Sequence, residues 1–290
     1  MTKDRNQSPA SIWGERILVA VLFAALGLLI MAVFSPWKPL LDRVNDYLGR
    51  IALIITLLIA LSLVAKSKRF ENLRKIMWGL FIMILAVSLD WIVNVYLIES
   101  LGVDDNSPAG FALLKLNECA IVVSVIILFT KLSGSSLGSI YIQKGNLKLG
   151  LIIGLITFSV AALSSIPIAN LMFEAQDLSL QRIIPWLPWI LIFILANATM
   201  EEVLFRGLFL RKLEPIFGKF TSNFLIALVF TGLHLFATYT SDQYLFIAIL
   251  FPLALLWGYI IQRTDGLWGS ILFHAGMDIP IMIGIFSNLS

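Results

Sequence analysis

Three short patterns of ionisable residues interrupt otherwise apolar stretches of this chain. They read Glu201-Glu202-x-x-x-Arg206, Phe230-x-x-x-His234 and His274-x-x-x-Asp278. The chain has only two histidines, and both belong to these patterns. Because an ionisable side chain in an apolar medium costs several kcal/mol unless it has a partner or a task, these positions predict a functional site.

Helical spacing assigns partners to four of these side chains. Residues four positions apart share one face of a helix. We therefore expect Glu202 to pair with Arg206, and His274 to lie beside Asp278. Glu201 points about 100° away from Glu202 on the helix and has no cation on its own face. The pattern predicts that Glu201 performs a different task from Glu202.

The residue types favour hydrolysis by an activated water. The Glu201 carboxylate and the His234 imidazole can share the proton of a trapped water, with Phe230 as a wall beside His234. His274, with an acid partner, can donate to the oxygen that becomes negative during acyl transfer. No serine stands in a nucleophile motif near these residues, and Cys119 is on a different helix.

Metal chemistry is an open alternative. Two histidines and one carboxylate can hold Zn²⁺ with a free position, as a zinc-dependent membrane protease would require. However, the His-Glu-x-x-His motif is absent, and Arg206 adds a positive charge near the expected cation. We therefore predict no metal and no cofactor.

Composition indicates where these patterns lie. Of 290 residues, 59% are hydrophobic and 13% are charged, against roughly 45–50% and 25% in soluble domains. The mean hydropathy is +0.92. Disorder and a soluble multidomain enzyme are excluded. The Lys and Arg residues stand in short loops between apolar runs, which argues against nucleic-acid binding.

The apolar runs predict an all-α polytopic membrane helix bundle. A membrane helix needs about 20 apolar residues. The runs cover approximately 17–34, 51–65, 76–98, 111–132, 149–169, 183–210, 224–239, 244–261 and 267–286. Because the second run is short, we predict eight or nine transmembrane helices.

Loop charges predict the orientation. With nine spans and the N-terminus in the cytoplasm, 15 of the 21 Lys and Arg residues fall in inner segments. Positive residues are enriched in cytoplasmic loops. We therefore predict a multi-pass protein of the cell membrane, with its site open toward the cytoplasmic side.

In order, spacing and membrane location, the three motifs resemble those of the CAAX protease and bacteriocin-processing family of intramembrane glutamic proteases. That family includes the type 2 CAAX prenyl endopeptidases. The resemblance extends over residues 135–286. It implies a division into N-terminal transmembrane helices of unassigned role, 1–134, and a catalytic transmembrane core, 135–290.

The resemblance also implies roles for the residues. Glu201 and His234 would activate the hydrolytic water, and His274 with Asp278 would form the oxyanion-stabilising side. Prenyl-protease members usually have Asn where this chain has Asp278. The residues that would support the site or bind substrate are Glu202, Arg206 and Phe230.

The predicted function is thus an intramembrane endopeptidase without a metal. Its expected partners are a peptide or lipid-modified protein substrate and membrane lipid, but no nucleic acid. Besides the zinc enzyme, two alternatives stay open. One is a non-catalytic scaffold or bacteriocin-immunity protein on the same fold, and the other is a transporter with a proton relay, although no repeated halves are visible.

Overall fold

The computed structural model describes residues 9–34, 40–236, 239–240 and 242–289. Within these ranges the chain forms nine helices and no strand, which confirms the all-α prediction. The helices are α1 Pro9–Val33, α2 Arg43–Val64, α3 Glu71–Leu101, α4 Pro108–Leu132, α5 Leu147–Phe173, α6 Leu180–Phe217, α7 Lys219–Leu233, α8 Gln243–Thr264 and α9 Trp268–Ser287.

Eight of these helices are long and apolar enough to cross a membrane, which confirms a multi-pass membrane protein for the described part of the chain. The exception is α7. Its 15 residues extend for about 22 Å, less than the roughly 30 Å of a hydrocarbon core. The predicted run 224–239 is therefore not helical throughout, because α7 ends at Leu233 and a 3₁₀ turn, His234–Phe236, follows.

The second apolar run, 51–65, which we expect to be short, is part of a helix long enough to cross a membrane. α2 begins at Arg43 and has 22 residues. The apolar pattern misses its first turns because Asp46 and Arg50 resemble loop residues. In the structure both are buried and paired, with Arg50 Nε 2.7 Å from Asp46 Oδ2. Arg50 also donates to the Phe34 carbonyl oxygen at 2.6 Å.

Most of the Lys and Arg residues gather at one end of the bundle, here called the basic end. It comprises the connections 65–70, 133–146, 218 and 265–267. The backbone N–H of Asn146 donates to the Thr264 carbonyl at 2.6 Å, and Gln262 Nε2 donates to the Lys219 carbonyl at 2.9 Å. These bonds tie the ends of three helices together, α5, α7 and α8.

The opposite end comprises the connections 102–107, 174–179 and 234–242, as far as the structure describes them. Here Thr240 Oγ1 donates to the Met172 carbonyl at 3.0 Å, and the Gln176 N–H donates to Ser287 Oγ at 3.1 Å. The chain thus alternates between the two ends, as the loop charges predict. Lys3, Arg5 and Lys38 lie outside the described residues.

Small residues allow α5 and α9 to pack closely. A Cβ atom at Gly269 would lie 2.6 Å from the Gly150 carbonyl oxygen, and one at Gly154 would lie 2.8 Å from Leu272 Cβ. Without side chains at these positions the two backbones come into contact. This contact fixes the position of α9, which carries His274 and Asp278.

Candidate active site

The candidate site begins where α6 changes its winding. The helix is α-helical from Leu187 to Glu201 and becomes a π-turn over Glu202–Gly207. Such turns often occur at functional sites, because the extra residue redirects neighbouring side chains. Although we expect the two glutamates to point in different directions, both contact His274 on α9.

Glu202 is a fully satisfied buried carboxylate. Its Oε1 atom accepts from Arg206 Nη1 at 2.8 Å and lies 2.9 Å from His274 Nδ1. Its Oε2 atom accepts from Ser270 Oγ at 2.8 Å. Glu202 and Arg206 are 0% exposed. The predicted pair of Glu202 and Arg206 is thus present, and it joins α6 to α9.

His274 is held between several groups. Its Nε2 atom lies 3.4 Å from Glu201 Oε2 and 3.8 Å from Asp278 Oδ1. The ring stacks on Trp257 of α8, with centroids 4.0 Å apart and planes 13° apart. The packing and the Nδ1 contact with Glu202 fix the ring plane, so that Nε2 is directed toward the other two carboxylates.

His234 lies at the end of α7, and a hydrogen bond of its ring sets the tautomer. Its Nδ1 atom is 2.8 Å from the Phe230 carbonyl oxygen. Because a carbonyl only accepts, Nδ1 carries the hydrogen, and Nε2 carries the lone pair in the neutral ring. As predicted, the Phe230 ring packs beside His234, with centroids 4.7 Å apart. The Phe230 ring also lies 4.4 Å from the Arg206 guanidinium.

Asp278 has a partner that sequence reasoning missed. Asn197 Nδ2 donates to Asp278 Oδ2 at 3.0 Å, and both side chains are buried. Asn197 stands four residues before Glu201 and therefore on the same face of α6. That spacing is the signal that could have identified it.

Four of the predicted residues line one cavity of about 100 Å³. They are Glu201, His234, His274 and Asp278. The other three predicted residues, Glu202, Arg206 and Phe230, are buried behind its wall. Most of the remaining lining is apolar, and it comes from α5, α6, α8 and α9.

The cavity extends away from the basic end. From Glu201 and His274 its lining continues through Ile285 on α9 and Phe246 on α8 to Met172 on α5, which lies at the opposite end. The cavity lining therefore does not extend toward the Lys- and Arg-rich loops, and the side of the membrane on which the site opens stays a prediction.

Tyr239, also in the cavity lining, adds a donor from the loop between α7 and α8. Burial, followed by the charges of Glu201 and Asp278, raises the pKa of its phenol well above the usual range. Its hydroxyl is therefore protonated at neutral pH and can donate a hydrogen bond.

Lys115 connects the N-terminal helices to the site. It is buried on α4 and forms an ion pair with Glu118. Its Nζ atom lies 5.6 Å from the centroid of Phe193, which lines the cavity. Its charge also interacts with Glu201 and Asp278. The signal in the sequence was a lysine inside an apolar run with an acid three residues later.

No group of three or more His, Cys, Asp or Glu residues in the described part of the chain is arranged to hold a metal ion. The carboxylates nearest to His274 are partly occupied by Arg206, Ser270 and Asn197. This geometry gives an acid–imidazole cluster in an apolar cavity within a multi-pass membrane protein.

A comparison with protein families matches the part of the chain that contains this cluster. Residues 183–280 match the family model of the type II CAAX prenyl endopeptidase Rce1-like proteins, and this segment contains all three motifs. This segment is thus similar to the CAAX protease family, which supports the predicted resemblance. No curated protein and no solved structure gives a significant match. The division at residue 134 stays a prediction.

Proposed function

We propose that this protein is an intramembrane endopeptidase that hydrolyses a peptide bond with a water activated by Glu201 and His234. One observation carries the proposal. Glu201 Oε2 is buried and accepts no hydrogen bond from the described residues, although His274 Nε2 lies 3.4 Å away, and Glu201 lines the same cavity as both histidines. A buried acceptor of this kind needs a donor, and a water bound in the cavity would supply it.

The proposed reaction begins with that water. Its oxygen attacks the carbonyl carbon of the substrate while one of its protons moves to Glu201. The Nε2 lone pair of His234 orients the water by accepting its second hydrogen. When the C–N bond breaks, the proton held by Glu201 passes to the leaving nitrogen, which completes the hydrolysis.

The opposite wall would stabilise the negative oxygen of the intermediate. In its protonated form His274 donates from both ring nitrogens: Nδ1 to Glu202, and Nε2 toward the cavity. A donor fixed in advance stabilises developing charge more strongly than a mobile one. Asp278, held by Asn197, would orient Nε2, while Glu202 and Arg206 would maintain the position of the ring.

The substrate class follows from the family and from the cavity. The family name refers to prenylated CAAX proteins, and the apolar lining suits a membrane-associated peptide or a lipid-modified protein. We propose the cell membrane as the location. If the basic end is cytoplasmic, substrate enters from the side away from the cytoplasm.

The test uses the purified full-length protein in liposomes together with a membrane peptide fraction. New peptide termini are then identified by mass spectrometry. We expect the wild type to generate them, and Glu201→Gln to reduce their rate of formation by at least about a hundredfold. Glu71→Gln, which changes an exposed carboxylate at the basic end, should retain the rate.

Two outcomes would favour a different function for this protein. Loss of cleavage after chelation, with recovery on adding Zn²⁺, would favour the zinc enzyme over the water-activating carboxylate. Full rescue of a deletion phenotype by the Glu201→Gln protein would favour a non-catalytic scaffold. Cleavage that persists in Glu201→Gln would refute the proposed mechanism.

A further inference from the structure

A second cavity lies at the basic end, on the other side of the bundle from the candidate active site. It has a volume of about 520 Å³ and is bounded by α2, α3, α4 and the last turns of α6. It shares no lining residue with the cavity around Glu201. We call it the basic pocket, because Arg74, Lys75 and Lys212 line it and no carboxylate does.

The charges of this pocket are not balanced. Lys75 pairs with Glu71 at 2.7 Å, and both are about half exposed. Arg74 and Lys212 instead donate to backbone carbonyl oxygens, those of Ala65 and Leu208. A carbonyl satisfies a donor but does not neutralise a charge. Two cations of the basic pocket thus lack a carboxylate partner in the described structure, which favours an anionic ligand.

Neutral hydroxyl groups complete the polar part of the lining, those of Thr130, Ser133, Ser135 and Ser139. A phosphate oxygen of a ligand can accept from such a donor. Ser135 lies on the same lining and can donate a hydroxyl hydrogen to the same ligand.

The rest of the lining is apolar and comes from positions inside the membrane spans, among them Leu61, Ile82 and Phe129. A free inorganic anion would leave this surface uncovered. A ligand with a phosphate at the interface and a hydrocarbon chain below it would contact both parts. Basic pockets between transmembrane helices bind anionic lipid head groups in this way.

We propose that the basic pocket is a binding site for an anionic phospholipid. The phosphate lies between Arg74 and Lys212, and the start of an acyl chain covers the apolar lining. The site is separate from the proposed catalysis, since Lys212 follows Glu201 by eleven residues, or roughly 16 Å along a helix. The lipid would join α3 and α4 to α6, and so stabilise the helix that carries Glu201.

The test measures thermal unfolding of the delipidated full-length protein in detergent while phosphatidylglycerol, phosphatidylcholine or inorganic phosphate is titrated. Only phosphatidylglycerol should raise the Tm strongly. The double variant Arg74→Gln/Lys212→Gln should bind it roughly tenfold to thirtyfold more weakly. The matched control is Lys144→Gln/Lys148→Gln, which removes two exposed charges at the same end outside the pocket and should bind like the wild type.

A third variant protects the test against misfolding of the double variant. Arg74→Lys/Lys212→Arg keeps both positive charges of the pocket and should bind phosphatidylglycerol within about threefold of the wild type. An equal response to phosphatidylcholine would overturn the proposal, as would an equal response to inorganic phosphate. It would also be overturned if the control variant lost as much affinity as the pocket variant.

Discussion

The Nδ1 atom of His274 lies 2.9 Å from the Oε1 atom of Glu202, a contact that joins the last helix to the π-turn of α6. Arg206 contacts the same carboxylate oxygen at 2.8 Å. The second glutamate of the motif therefore supports the imidazole and is itself neutralised by the arginine. Of the two glutamates in this motif, Glu201 is therefore the one that lines the cavity.

This arrangement predicts a large cost for removing the arginine. Arg206→Gln leaves Glu202 buried without its cation, and breaking such a pair costs about 3–5 kcal/mol. The Tm in detergent should fall strongly. Lys75→Gln breaks an exposed pair with Glu71 of the same spacing, which is worth about 0–1 kcal/mol. Equal changes in Tm for the two variants would contradict a structural role for Arg206.

The contact between Asn197 and Asp278 can be tested by exchanging the two residue types. Asn197→Asp places a second carboxylate beside Asp278, where the present donor and acceptor are 3.0 Å apart. Both stability and cleavage should fall. Adding Asp278→Asn restores one donor and one acceptor with their positions exchanged, and should recover most of the stability. No recovery in the double variant would mean that this contact does not hold Asp278 in place.

Close packing of α5 and α9 predicts that alanine is not tolerated at Gly269. A Cβ atom there would lie 2.6 Å from the Gly150 oxygen and 2.9 Å from its Cα atom, and backbone cannot move aside easily. Overpacking of this kind costs about 1–3 kcal/mol. Gly14→Ala is the control, since nothing lies within 4 Å of its added carbon. Thermal unfolding of the two variants should differ clearly, and equal Tm values would refute the close contact.

The positions of the Lys and Arg residues predict which loops label from outside the cell. In a Cys119→Ser background, Lys144→Cys marks the basic end and Gln176→Cys the opposite end, and both positions are exposed. The positive-inside rule predicts that an impermeant maleimide labels Gln176→Cys in intact cells but not Lys144→Cys. The reverse pattern would mean that the cavity faces the cytoplasm and that the Lys-rich loops are external.

Sequence patterns predicted the convergence of Glu201, His234 and His274 because buried ionisable groups in three apolar runs need one another. They did not predict the length of α2, since Asp46 and Arg50 look like loop residues until their partners are known. The length of α7 was missed for the opposite reason, because apolar residues continue into the loop that follows it.

Three other features depend on contacts between helices that no local pattern encodes. The π-turn at Glu202 has no signature in the spacing, which reads as an ordinary helix. Asn197 shares a face with Glu201, but its bond to Asp278 spans 81 positions. The direction of the cavity depends on how α5, α8 and α9 pack around it, which the spacing within any one helix does not encode.

The central claim is that Glu201 and His234 share one water molecule. An experimental structure of the full-length protein, at a resolution that reveals ordered water, tests it most directly. We predict a water within about 2.6–3.2 Å of both the Glu201 carboxylate and the His234 ring. A cavity in which these two side chains are too far apart for a single water to contact both would contradict the mechanism.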